Sequence, residues 1–166
     1  MASEIYLRVM DRVTHLVRAA VCGIGIGLVI LLFLEVLSRF VFDFSIFVVN
    51  GLARMLLLWF FFLGAALALK EGSHVGLTFL DGMLEGRAKA LASAIARLAT
   101  VAFLALLLVG SLSLISGAWS LVEPSLGISV FWLYLSIPTG TALMLAFFLE
   151  LEVRAFRDAH KGAKSE

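Results

Sequence analysis

The sequence has little charge and a single cysteine. Charged residues make up 15% of the 166 residues and hydrophobic residues 62%, whereas a soluble domain carries about 25% charged residues. Cys22 lies inside an apolar stretch, so the chain has neither a disulfide framework nor the thiol pairs of membrane redox enzymes, and we expect Cys22 to fill apolar space. The net charge of +1 gives no reason to expect a nucleic-acid partner.

Groups that could hold a metal or a cofactor are also scarce. The three histidines, His15, His74 and His160, lie outside the apolar stretches, whereas membrane haem and metal sites need ligands that converge. No nucleophile with a neighbouring base is visible, and the run Gly23–Gly27 has neither the preceding strand nor the charged partner of a phosphate-binding loop. We therefore expect no metal, no cofactor and no enzymatic activity.

Apolar sequence is abundant instead. Four apolar stretches, roughly 19–39, 50–69, 96–117 and 128–149, contain most of the chain, whose mean hydropathy is +1.08. About 20 helical residues cross about 30 Å of hydrocarbon, and each stretch has or approaches that length. The sequence predicts an all-α integral membrane protein with four transmembrane helices in a single domain, residues 1–166.

The first stretch shares one feature with a signal peptide, the arginines before it. Its apolar run is longer than the roughly 7–15 residues of a signal peptide, and it ends in Glu35 and Arg39 instead of small residues. We expect it to remain as an uncleaved span.

Basic residues predict the orientation. Eleven of the 13 Lys and Arg residues lie before the first stretch, around the connection of the second to the third, or after the fourth; only Arg39 and Arg54 lie near the first connection. By the positive-inside rule, both termini should be cytoplasmic, and the first and third connections should lie outside.

Shorter features modify the four helices. Apolar residues recur at helical spacing over 5–17 and 75–84, which predicts short amphipathic helices at the interface, with a hydrophobic loop as the alternative for the second segment. Pro138 lies in the fourth stretch and should kink it, with Ser136, Thr139 and Thr141 available to bond the freed carbonyls.

Small residues mark possible helix contacts. Ala19, Gly23 and Gly27 form a stripe that lets another helix approach closely. Gly64 and Ala68 are the packing candidates of the second helix. Glycine is also common in membrane helices generally. The alternative interpretation is that these residues have no specific packing role.

Glu35, Arg39 and Arg54 are the charges that most need partners. Burying a charge in a span costs at least about 2.5–3.5 kcal/mol. Glu35 and Arg39 stand one helical turn apart, and Arg54 lies in the first turn of the second helix, where the helix dipole disfavours a cation. One interpretation is a structural cluster of the three that fixes two helices, and the other is an ion or substrate-carboxylate site at Glu35.

Several short elements follow one another along most of the chain. They are Arg39-Phe40-Val41-Phe42, Leu52-Ala53-Arg54, Trp59, the run Phe62–Ala68 with Gly64, Gly72-Ser73-His74-Val75, Ile128, and Tyr134-Leu135-Ser136-Ile137-Pro138. In this order and spacing they resemble the small membrane subunit, DctQ type, of tripartite ATP-independent periplasmic (TRAP) transporters. Trp59, Gly64, His74 and Pro138 are the positions that carry the family motif.

Two positions depart from the family pattern. Asn50-Gly51 stands where an acidic residue commonly precedes the Leu-Ala-Arg element, and Thr78 stands where an aspartate often follows the histidine. If the acidic residue of the family balances the arginine, Glu35 would balance Arg54 in this chain.

The resemblance implies a function in transport. It implies a non-catalytic scaffold subunit, surrounded by lipid in a bacterial inner membrane and bound to a larger membrane subunit that takes up an organic acid with sodium. A periplasmic substrate-binding protein would deliver that acid. The residues leave two alternatives: a self-sufficient proton-coupled transporter that uses Glu35 and dimerises through Gly23 and Gly27, and a four-helix membrane enzyme, which the missing ligands disfavour.

Overall fold

Helices account for nearly all of the described chain. The computed structural model describes the backbone of residues 2–41, 43, 47–83 and 86–162, and the side chains of residues 6, 8–41, 43, 47–71 and 91–155. The helices are α1 (Ala2–Val41), α2 (Phe47–Met83), α3 (Gly86–Ala118), α4 (Phe131–Tyr134) and α5 (Ser136–Gly162). Within these residues no β-strand is present, and one isolated antiparallel bridge joins Val122 to Ser129. The all-α prediction is confirmed.

Four helical segments are long and apolar enough to cross a membrane. They are Arg8–Val41 in α1, Phe47–Glu71 in α2, Leu91–Ala118 in α3, and Phe131–Ala155, which combines α4 with most of α5. This confirms the prediction of four membrane-spanning helices. The cytoplasmic position of the termini stays a prediction.

The two amphipathic segments are helical, and each continues a long helix instead of forming a separate one. Residues 5–17 belong to α1, and residues 75–83 belong to α2. Neither helix contains proline, the residue that most strongly interrupts the backbone hydrogen bonds of a helix. The backbone therefore passes from the amphipathic segment into the span without a break.

The helices pack in the order α1, α2, α5, α3. Helix α2 packs against both α1 and α5, and α5 packs against α3, while α1 and α3 make no contact in the part of the chain that the structure describes. The buried core lies along the two central helices and includes Val17, Leu63, Ala66, Leu104, Met144 and Phe147. Because lipid is as apolar as these side chains, close van der Waals packing is what stabilises such a core.

A glycine allows the central pair, α2 and α5, to approach closely. A Cβ atom on Gly140 would lie 2.6 Å from Phe62 Cβ and 2.9 Å from the Phe62 carbonyl oxygen. The second of these atoms belongs to the backbone and cannot rotate away. Only glycine therefore fits at this contact without a shift of one helix.

The fourth span is interrupted between α4 and α5, at Leu135. Pro138 has no amide hydrogen, so the carbonyl one turn earlier receives no helical hydrogen bond from it. Hydroxyl groups bond carbonyls in this region: Ser136 Oγ donates to Leu133 O at 2.7 Å, and Thr139 Oγ1 donates to Leu135 O at 2.7 Å. Hydroxyl groups are thus bonded on both sides of the interruption, and the kink at Pro138 stays a prediction.

Candidate functional site

A group of charged side chains joins three helices at the end of the bundle where α5 leaves its span. Lys70, at the end of the α2 span, places Nζ 2.8 Å from Glu150 Oε2 and 3.1 Å from Oε1. The Glu150 side chain has no exposed surface, and that of Lys70 is 15% exposed. The Lys70 ammonium also lies 5.0 Å from the centre of the Phe147 ring, a cation–π contact.

Helix α1 contributes the remaining partners. Arg154 donates to Glu150 Oε1 from Nε at 2.9 Å and from Nη2 at 2.7 Å, and it donates from Nη2 to Asp11 Oδ1 at 2.8 Å. Lys70 donates to Thr14 Oγ1 at 2.6 Å and lies 3.9 Å from Asp11 Oδ1. We name Asp11, Thr14, Lys70, Glu150 and Arg154 the three-helix charge cluster.

The charges of the three-helix charge cluster balance. Lys70 and Arg154 carry two formal positive charges, and Asp11 and Glu150 carry two formal negative charges, so the formal charges of the group cancel. Neutrality and several hydrogen bonds offset the cost of removing Glu150 from water. This arrangement is typical of a fixed contact between helices. A site that binds and releases ions needs charged or ligating groups that are available to the ion, whereas these groups bond one another.

Tyr6 extends the same region along α1. Its hydroxyl donates to the Ala146 carbonyl oxygen at 3.2 Å. Burial, and after it the nearby Glu150 carboxylate, raise the pKa of the Tyr6 phenol above its ordinary value of 10.0. The phenol therefore remains a neutral hydrogen-bond donor at physiological pH.

A second charged contact lies at the opposite end of α2. Arg54 Nη1 lies 3.4 Å from Glu123 Oε1 and 3.5 Å from Oε2, and Ser125 Oγ donates to Glu123 Oε1 at 3.0 Å. The Glu123 side chain is 10% exposed, whereas that of Arg54 is 63% exposed. At this exposure and distance the ion pair contributes at most about 1 kcal/mol.

The structure places Glu123 beside Arg54, a pairing that the sequence analysis did not predict. Glu35 is half-buried and Arg39 is exposed on α1, and the Ser38 hydroxyl donates to the Glu35 carbonyl oxygen at 3.0 Å. A structural cluster of Glu35, Arg39 and Arg54 stays a prediction.

The predicted packing residues have open space around them in this chain. No described atom lies within 4 Å of a Cβ built on Gly23, Gly27 or Gly64, and Ala19 and Ala68 are exposed. Their role in close helix packing stays a prediction. Close contacts within the chain include those at Gly140 and at Gly51, where an added Cβ would overlap the Ser125 hydroxyl.

The family-motif positions are distributed over two helices. Trp59 Nε1 donates to the Trp132 carbonyl oxygen at 3.2 Å and so ties α2 to α4. Pro138 is buried near the start of α5. His74 lies on the α2 backbone, but its side chain is outside the described residues.

An open apolar groove of about 510 Å³ lies between α2, α3 and α5. Its walls include Ala65, Ala68, Phe103 and Met144, with one hydroxyl from Thr100 that donates to the Ala96 carbonyl oxygen at 2.9 Å. The described residues that line the groove carry no charged side chain. Among the described residues no three His, Cys, Asp or Glu side chains come together as metal ligands.

Comparison with known proteins identifies the family. The family model of the DctQ component of tripartite ATP-independent periplasmic transporters matches residues 28–158, which is most of the chain. The chain belongs to the DctQ family. The chain is also similar to a Haemophilus influenzae protein that is named a TRAP transporter small permease protein. The two sequences are 42% identical over 55 residues. That match covers 33% of this chain and 34% of the relative, so the chain spans about a third of the length of the curated relative it matches.

The DctQ motif and the main charged contacts involve different residues. Lys70, Glu150 and Arg154 lie at the ends of apolar stretches, where the sequence suggested only flanking charge. One signal was available, because Glu150 and Arg154 stand four residues apart and can pair on a helix. No sequence spacing indicated that Asp11 and Lys70 would join them.

Proposed function

We propose that this DctQ-family chain is a non-catalytic scaffold subunit of a TRAP transporter in a bacterial inner membrane. In this proposal it binds a large membrane subunit, which performs sodium-coupled uptake of an organic acid. A periplasmic binding protein delivers the acid. The match of the family model over residues 28–158 is the observation that carries the proposal.

The geometry of the charged side chains supports a scaffold role. The three-helix charge cluster is neutral and holds α1, α2 and α5 together through hydrogen bonds of 2.6–3.1 Å. The groove between α2, α3 and α5 is lined by apolar side chains and the hydroxyl of Thr100. A transport site for an organic acid needs a cation or several donors directed into a cavity, which neither region provides.

Reconstitution tests the proposal. We expect sodium-driven uptake of an organic acid into proteoliposomes only when this chain, the large subunit and the binding protein are all present. The matched controls are vesicles that contain either membrane chain alone with the same binding protein. Uptake by this chain alone would refute the scaffold role.

The proposal also assigns Glu35 to assembly. A carboxylate that neutralises arginines at the helix ends should matter for the stability of the complex and not for the coupling ion. We expect Glu35→Gln to lower the melting temperature of the complex while the pH dependence of the remaining uptake is unchanged. If Glu35→Gln instead leaves assembly intact and abolishes uptake or shifts its pH profile, the alternative of a proton-coupled transporter with Glu35 at its site gains support.

A further inference from the structure

The connection between α3 and α4, residues 119–130, forms a compact hairpin whose backbone groups bond one another. Glu123 N donates to Ile128 O at 2.8 Å, and Val130 N donates to Leu121 O at 2.9 Å. At the tip, Gly127 N donates to Glu123 O at 2.9 Å, and Gly127 adopts φ +66°, a conformation that favours glycine. These internal bonds lower the cost of placing the backbone where water is scarce.

The large outward side chains of this hairpin are apolar, and Ser120 is a small polar one beside them. Trp119 is 67% exposed, Leu121 55% and Val122 60%. The only charged residue of the hairpin, Glu123, is turned inward against Ser125 and Arg54. The exposed surface therefore carries no charge and presents large hydrophobic groups.

The position of the hairpin in the chain sets its level relative to a bilayer. One membrane-crossing segment ends at Ala118, directly before the hairpin, and the next begins at Phe131, directly after it. Three aromatic rings meet at this junction: Trp119 lies 4.9 Å from Phe131, and Phe131 lies 5.6 Å from Trp132, both edge to face. Trp side chains are enriched at the boundary between the hydrocarbon and the headgroups.

We infer that the hairpin lies in the headgroup–acyl boundary of the bilayer, with Trp119, Leu121 and Val122 in contact with phospholipid. An apolar, uncharged surface in water would be an association hazard, whereas its burial among lipid is favourable at about 25 cal/mol per Å². Because the hairpin is continuous with two membrane-crossing segments, lipid is the molecule that lies next to its exposed surface. This inference does not depend on the proposed function, because it concerns the surface of this chain alone.

Spin-label accessibility in lipid nanodiscs tests the inference on the full chain. In a Cys22→Ala background, a nitroxide at Val122→Cys should collide more with dissolved oxygen, which concentrates in lipid, than with a water-soluble nickel complex. A label at Leu106→Cys, on the exposed face of α3, gives the hydrocarbon reference, and a free nitroxide in the buffer gives the aqueous one. We expect the oxygen-to-nickel ratio at Val122 to fall between those two references.

Two outcomes would overturn the inference. A ratio at Val122 equal to that of the free nitroxide would place the hairpin in water, and low collision with both reagents would show that protein covers it. A second measurement avoids the cysteine changes: in a Trp59→Phe, Trp132→Phe variant, Trp119 is the only tryptophan. Its emission should be quenched by brominated phospholipid and resist aqueous acrylamide; the reverse pattern would also refute the inference.

Discussion

Glu150 illustrates how one residue can depend on three helices. Its carboxylate has no exposed surface, and its oxygens accept hydrogen bonds from Lys70 and Arg154. Removing one member of a buried pair typically costs about 3–5 kcal/mol, because the remaining charge is left without compensation. The contact is thus far more sensitive to change than an ion pair at the surface.

At the residue scale, we predict that Glu150→Gln strongly lowers the melting temperature of the purified chain in mild detergent. Adding Lys70→Met should recover part of the loss, because the double variant removes one charge of each sign. A double-mutant cycle should give a coupling free energy of about 0.5–3 kcal/mol.

The matched control for that cycle is the pair Arg97–Glu152, whose atoms are 3.0 Å apart but whose side chains are 44% and 25% exposed. Arg97→Met should change stability by less than about 1 kcal/mol. If Glu150 and Lys70 show no coupling, or if the control pair couples as strongly, the three-helix charge cluster does not hold the helices together.

The helices themselves follow from the sequence. Four apolar stretches of about 20 residues can only be helices when they cross lipid, since every backbone group must be bonded internally. Which helices become neighbours depends on side-chain shape in three dimensions, and apolar periodicity does not contain that information. The pairing of Arg54 with Glu123, and of Asp11 with Arg154, depends on neighbours and was therefore not predictable from spacing.

At the element scale, the approach of α2 to α5 should tolerate no added atom at Gly140. We predict that Gly140→Ala destabilises the chain by about 1–3 kcal/mol, the usual cost of overpacking, because the new methyl group would meet the Phe62 backbone. Thermal unfolding of the purified chain measures the effect.

Gly64→Ala is the matched control, because no described atom lies within 4 Å of its Cβ position. There the gain in helix propensity, up to about 1 kcal/mol, should leave the isolated chain as stable as before or slightly more so. Equal melting temperatures for the two variants would contradict the close approach at Gly140.

At the scale of the whole molecule, the chain is a row of helices with two open ends. Helices α1 and α3 lie at those ends, and both expose large apolar side chains such as Phe33 at 62% and Leu106 at 74%. The stripe of small residues, Ala19, Gly23 and Gly27, lies on α1, so a partner helix that approached it would not have to rearrange α2 or α5.

The basic residues predict the orientation of this row in the membrane. In a Cys22→Ala background, cysteines at Ser3 and Ser165 should be protected in intact cells from an impermeant thiol reagent. A cysteine at Asn50, exposed in the first turn of α2, should react. Permeabilised cells provide the control, in which all three positions should react, and labelling of both termini in intact cells would contradict the orientation.

The three-helix charge cluster also has a consequence for synthesis. Lys70 and Glu150 are 80 residues apart, and Asp11 and Arg154 are 143 apart. At a synthesis rate of about 5–20 residues per second, Glu150 is added to the growing chain roughly 4–16 s after Lys70. During that interval the first two helices carry their charges in the bilayer without the last helix. In a chain that stops before Glu150, Lys70 would lack Glu150 and Asp11 would lack Arg154. This difference distinguishes an unfinished chain from a complete one.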